Sequence, residues 1–337
     1  MDPTQSIAIL GVGHCLPDTV RENSDPIFDY IRAHPGSNSD IFAGLKTRRV
    51  LGPGESVTTI MVTAAQNALK NANLQPANID MLLGAASLGE YHAPNALSAV
   101  HAALGLSANC RAMAFNTEYT TFLDAMKIAN DLITAGTIRN ALVVVGMNWT
   151  RHMNYTEAVC VAASDAAGAA VVGQCSDASK FRLVDWENET DSSRYSAFRM
   201  AHRPASTNAT EPPLFTGPTM KIDDLIGRNA IMEFGVPAPP RVVARMLQRN
   251  AIASSDITLV PHQVAQLIAD SWNKAIAPAL YVTTHEDLAD MVSASVPVNL
   301  SIYWDKIPTN HIVLVGIGME MHATALLYSR TPATPAS

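Results

Sequence analysis

The chain has 337 residues, 48% of them hydrophobic and 16% charged. That is enough to bury a substantial core in one large or two medium domains without a disulfide or metal staple. The net charge of −7 argues against a nucleic-acid phosphate backbone as partner. The longest apolar runs, such as ALVVVGM, are too short to span a bilayer, and no secretory leader is evident.

Strand-like and helical patterns alternate along the chain. SIAILGVG reads as a strand ending in a glycine turn. SVTTIMVTAAQNALKNANL reads as a helix with a serine at its start. IDMLLGAAS follows as a buried strand, NALSAVHAALGL as a helix and CRAMAF as a strand. A polar turn then leads into a helix from about residue 120 to 135, and NALVVVGMN is the next strand. This is an α/β pattern. Cys15, Cys110, Cys160 and Cys175 are scattered without metal-ligand spacing, so four reduced thiols, no bound metal and a cytoplasmic location are expected.

The pattern repeats. LKNANLQPANIDMLL (69–83) lines up with LQRNAIASSDITLVP (247–261), LVVVG (142–146) with IVLVG (312–316), and DAAGAAVVG (165–173) with MHATALLYS (321–329). Three pairs in one order suggest two duplicated halves around a pseudo-twofold. The expected division is an N-terminal half at 1–175, an excursion at 176–240, a C-terminal half at 241–330 and a tail at 331–337. The excursion is polar and rich in Ser, Thr and Pro, and reads as a surface segment over a pocket or as a linker.

An ordered set of landmarks resembles the β-ketoacyl-acyl-carrier-protein synthase III family of the thiolase superfamily. ILGVGHCLP, GLKTRR (44–49), SDAAGAAVVG, PHQVAQLIADSW (261–272), SASVP (293–297) and GIGMEMHATALL are its segments here. The resemblance implies a thiolase-like αβαβα layered fold and a homodimer with the site between the halves. It also implies a substrate that is a coenzyme A or acyl-carrier-protein thioester, with no bound cofactor. Family members load the acyl group onto a cysteine at a strand-to-helix turn, and a His and an Asn support condensation.

Carried over position by position, the cysteine slot falls in the turn of FNTEYTTFLDAMKIA, residues 115 to 129. Counting back from Phe122 puts it on Tyr119; anchoring on AFN puts it on Thr121. Neither is a cysteine, and a tyrosine hydroxyl is a poor nucleophile at neutral pH. His262 keeps the histidine slot. Asp290 falls in the asparagine slot, where an ionised carboxylate cannot donate a hydrogen bond but can orient an imidazole and stabilise its protonated form. Gly316 and Gly318 fall in the closing glycine loop, whose backbone serves the oxyanion in the family. Glu118, Thr120 and Thr121 are further candidates for the pocket. Glu118 also reads simply as a carboxylate stabilised near a helix N-terminus. Arg48, Arg49 and Arg151 are candidate contacts for the phosphate of the thioester carrier.

The expected function is an acyltransferase of secondary metabolism, moving an acyl group from a thioester to a hydroxyl or amine without a cysteine acyl-enzyme. Two alternatives stay open at this point. One is a non-catalytic partner subunit of an active paralogue. The other is a decarboxylase, hydrolase or cyclase acting on the same thioester.

Overall fold

The computed structural model describes residues 6–35, 40–91, 93–202, 218–222 and 226–331. The first half runs β1 (Ser6–Cys15), β2 (Thr19–Glu22), α1 (Asp29–Ala33), β3 (Thr47–Val50), α2 (Val57–Ala72), β4 (Met81–Ala86), α3 (Ala96–Leu104), β5 (Arg111–Ala114), α4 (Thr121–Thr134), β6 (Asn140–Met147) and β7 (Ala166–Cys175). The second runs β8 (Arg182–Thr190), β9 (Phe198–His202), β10 (Pro218–Ile222), α5 (Ile226–Ala230), α6 (Ala238–Arg249), β11 (Ile257–Pro261), α7 (Gln266–Ile276), β12 (Leu280–Tyr281), α8 (His285–Leu288), α9 (Ser295–Tyr303), β13 (His311–Gly318) and β14 (His322–Ser329).

The two large sheets have the orders β1-β7-β6-β4-β5 and β8-β14-β13-β11-β12. Parallel and antiparallel pairings match strand for strand: β4 is parallel to β5 and β6, as β11 is to β12 and β13, and β7 and β14 run antiparallel to their neighbours. The sequence repeats thus correspond to topologically equivalent elements. LVVVG lies in β6 and IVLVG in β13.

Helices α4 and α9 touch both sheets and form the middle layer. Helices α2 and α3 cover the outer face of the first sheet, and α6 and α7 that of the second. The result is five layers, α-β-α-β-α. Local chemistry sets the ends. Ser56 and Thr59 make a reciprocal capping box at the start of α2, whose Ile60, Met61, Ala64, Ala68 and Leu69 face the core. Helix α4 buries Phe122, Leu123, Ala125, Met126, Ala129 and Ile133 at helical spacing.

The expected boundaries need one correction. Residues 182–190 are not part of a surface excursion; they form β8, which pairs antiparallel with β14 at the edge of the second sheet. The stretch reads as a loop because its acids are matched from outside by α6. Arg241 and Arg245 bind Glu189, while Arg249 binds Asp185 and Glu187. The rest of the excursion that is described includes the paired strands β9 and β10, α5 and the start of α6. Residues 203–217 and 223–225, and all of the 331–337 tail except Thr331, lie outside the described residues. Among the described residues no helix is long and apolar enough to cross a membrane, and the four cysteines are free.

Candidate active site

The turn before α4 and the turn before α9 occupy equivalent places in the two halves, and they pack against each other. His262 follows β11 directly, and Asp290 lies just before the turn that leads into α9. The pseudo-twofold therefore brings together residues far apart in sequence.

Tyr119, His262 and Asp290 line one cavity of about 200 Å³ between the halves. The His262 Nε2 lies 3.3 Å from Asp290 Oδ1. Because an ionised carboxylate only accepts, Nε2 carries the proton in this contact. That leaves the lone pair on Nδ1, which has no hydrogen-bond partner among the described residues. The Tyr119 ring lies tilted over the imidazole with centroids 4.7 Å apart, and meets Trp149 edge-on at 5.6 Å. Burial pushes the Tyr119 phenol well above its ordinary pKa, with Asp290 and Glu118 adding to the effect. The hydroxyl therefore stays neutral at physiological pH. The rest of the wall is mostly apolar. Met153, Phe198, Met220, Ile222 and Trp272 contribute to it, three of them from the β9–β10 hairpin.

Of the two slot positions, Tyr119 is the one that faces His262. Thr121 is buried and turned inward: its hydroxyl donates to Asn116 Oδ1 and accepts from the Thr117 N–H. Thr120 is fully buried beside the cavity rather than on its wall. Its hydroxyl meets His322 Nε2 and, at 3.0 Å, Asp124 Oδ2. Gly318 lines the cavity, and a side chain there would overlap the His322 ring, which lies 2.1 Å from where its Cβ would be. Gly316 sits one layer back, against Thr120, Leu123 and His262.

Glu118 does not face the cavity. Its Oε2 accepts from Ser87 Oγ at 2.6 Å and its Oε1 from Asn116 Nδ2 at 2.8 Å, while Ser87 Oγ accepts from Trp149 Nε1. A helix N-terminus favours the ionised form, but burial wins and pushes this carboxyl up to about 7 against those hydrogen bonds. Of the three candidate phosphate contacts, Arg48 is the one that the structure takes out of reach. Arg48 is fully buried, donates to Val161 O and Asn23 Oδ1, and stacks on Phe28. Arg49 donates to Pro17 O and Asp18 O, and Arg151 to the carbonyls of Leu51, Gly52 and Glu55. None of the three lines the cavity. Cys110 and Cys160 are buried thiols, pushed up by burial to about 11 and about 12.

Sequence reasoning missed Trp149 and Ser87 as parts of the site's wall and support. It also missed that Gln263 and Asn299 form a polar pair beneath the site.

A profile of the family described as 3-Oxoacyl-[acyl-carrier-protein (ACP)] synthase III matches residues 113–192. The chain is 27% identical to beta-ketoacyl-[acyl-carrier-protein] synthase III of Thiobacillus denitrificans, over 91% of this chain and 93% of that one. It is 28% identical to the protein of that name from Gloeobacter violaceus, over 96% and 98%. Among solved structures it resembles 3-oxoacyl-[acyl-carrier-protein] synthase III of Aquifex aeolicus, with TM-score 0.80, 21% identity and coverage of 96% and 100%. OleA of Xanthomonas campestris gives TM-score 0.82 at 20% identity over 96% and 98%. A priming beta-ketosynthase from a polyketide biosynthetic pathway gives 0.81 at 23% over 97% of each chain. These neighbours share the thiolase-like layered fold found here.

Proposed function

We propose that this chain, a divergent member of the synthase III-like family, is an acyltransferase. It would move an acyl group from a coenzyme A or carrier-protein thioester to a hydroxyl or amine, with no acyl-enzyme. The relatives are named for acyl-carrier-protein chemistry, which supports a thioester donor. The single observation that carries the reading is the pairing at the slot: a neutral Tyr119 in place of a nucleophile, beside a His262–Asp290 couple at the end of an apolar cavity.

In this mechanism the acceptor gives its proton to Nδ1 of His262, which is buried here and has to be uncovered as the acceptor enters, and attacks the thioester carbonyl. The C–S bond breaks, and the imidazolium returns the proton to the leaving thiolate. Asp290 stabilises the imidazolium between the two steps. Backbone N–H groups at Tyr119 and Gly318 serve the oxyanion, a role that does not depend on the slot side chain. No cofactor is needed. Decarboxylative chain initiation would use the missing thiolate, so secondary metabolism suits the site better. Among the described residues the β5 edge of the first sheet has no neighbouring strand, and a second copy could continue the sheet there.

One observation favours a second reading, a non-catalytic partner of an active paralogue. His262 is only 1% exposed, and Tyr119 lies over its ring. The test is turnover with a panel of donors and acceptors, alone and with a paralogue, for the wild type, His262→Ala and Asp290→Ala. Loss of product in both variants supports the transferase. Full activity of the pair with both changes present supports the partner.

A further inference from the structure

The segment that carries Asp290 is held in a conformation its own residues disfavour. Ala289 has φ 51° and ψ −149°, and Val292 has φ 47°. Neither is glycine, and positive φ at a β-branched residue is a genuine outlier. Such backbone persists only where its surroundings over-determine it.

Two sets of contacts do so. Across the boundary between the halves, the Asp290 N–H donates to Ala162 O at 2.8 Å and the Asp290 carbonyl accepts from the Ser164 N–H at 3.1 Å. From below comes Gln263, the residue after His262. Its Nε2 donates to the Ala289 carbonyl, one peptide before Asp290. Its Oε1 accepts from the Thr284 N–H at 2.7 Å and from Asn299 Nδ2 at 2.9 Å, and lies 3.0 Å from Thr284 Oγ1. Thr284 Oγ1 is also 2.7 Å from Asn299 Oδ1. Gln263 is 3% exposed and Asn299 fully buried, so these amides exchange little with water.

The side chain next to the imidazole therefore grips the residue next to the carboxylate. We propose that Gln263, anchored by Asn299 and Thr284, is a positioning residue that sets Asp290 against His262 Nε2. It acts through the Ala289 carbonyl and touches no substrate. This rests on the acyl-transfer reading only where a rate is concerned; the geometry can be tested without turnover.

The test is Gln263→Glu in the full chain. The replacement keeps the shape and the accepting oxygen and, at a pH where its carboxyl is ionised, has no donor for the Ala289 carbonyl. Imidazole nitrogen NMR on histidine-labelled protein, at a pH where the ring is neutral, reads which His262 nitrogen carries the proton. Wild type should show the proton on Nε2, and Gln263→Glu should show a mixture of tautomers. An unchanged Nε2–H tautomer in a folded Gln263→Glu overturns the proposal. Thr284→Val, which removes only the hydroxyl beside Gln263 and Asn299, should move the tautomer in the same direction by less. It serves as the deciding variant if Gln263→Glu does not fold, and no change in it then overturns the proposal. Where wild-type transfer is detected, kcat should fall on the order of 100-fold in Gln263→Glu with KM little altered. A KM effect alone would count against positioning. Absence of any wild-type transfer would sink the proposed function but leave the tautomer result standing.

Discussion

Replacing Glu118 by glutamine should stabilise the protein increasingly as pH rises from about 4 to about 8. The carboxyl is half-buried against Ser87 and Asn116, and its pKa is raised from the ordinary 4.5 to about 7. Below the unfolded value both states hold the proton, and the group contributes nothing that depends on pH. Between 4.5 and about 7 the unfolded chain ionises while the native state keeps its proton, so stability falls with rising pH. Above about 7 the native carboxyl ionises too, and the loss levels off. At about 1.4 kcal/mol for each tenfold difference in proton affinity, the full loss is about 3 kcal/mol. Glutamine does not titrate. It can satisfy only one of the two donors as well as the carboxylate does, which adds an offset independent of pH. Asp165, raised by burial to about 6, contributes equally in both proteins and cancels in the difference. Urea denaturation at intervals across this range, with equal m-values, gives the difference directly. A flat difference, or one that shrinks as pH rises, would refute the reasoning.

Further outcomes follow from the same geometry. Tyr119→Cys should gain an acyl adduct on incubation with an acyl-coenzyme A, seen as added intact mass, because a thiol at this turn faces His262; no adduct in a folded variant would question the slot assignment. Asp290→Asn should cut transfer roughly 100- to 10,000-fold without loss of fold, measured as kcat. Ala289→Gly should raise stability by about 1 kcal/mol, since glycine relieves the positive φ but loses more chain entropy, and thermal or urea unfolding will read it. Phe122→Ala, in a side chain 1% exposed on the middle layer, should cost about 3–5 kcal/mol in the same assay.

The duplicated architecture was legible because its strands are buried on both faces and so carry near-continuous apolar runs. LVVVG and IVLVG are such runs, and the pairing of two halves followed from their order. Strand β8 was not legible. Its burial pattern alternates, but the half-buried positions are the acids Asp185, Glu187 and Glu189, which make it as polar as a loop until the arginines of α6 are placed beside it. At the site, the slots could be counted from neighbouring motifs, yet environment could not. Arg48 carries the same charge in sequence whether it meets a phosphate or, as found, a buried carbonyl and a phenyl ring. Glu118 likewise looked like a carboxylate eased by a helix terminus, and only its contacts reveal that burial dominates. The cavity wall drawn from Phe198, Met220 and Ile222 depends on a hairpin whose strands are distant in sequence and short.

The most direct test combines an acyl-coenzyme A or acyl-carrier-protein donor, a hydroxyl or amine acceptor and the protein in one sample. Mass spectrometry then reads both the small molecules and the intact chain. The account predicts a new ester or amide, an unmodified protein mass throughout turnover, and no product with His262→Ala. An acyl adduct on Tyr119 during turnover, or the same product at the same rate from His262→Ala, would contradict it.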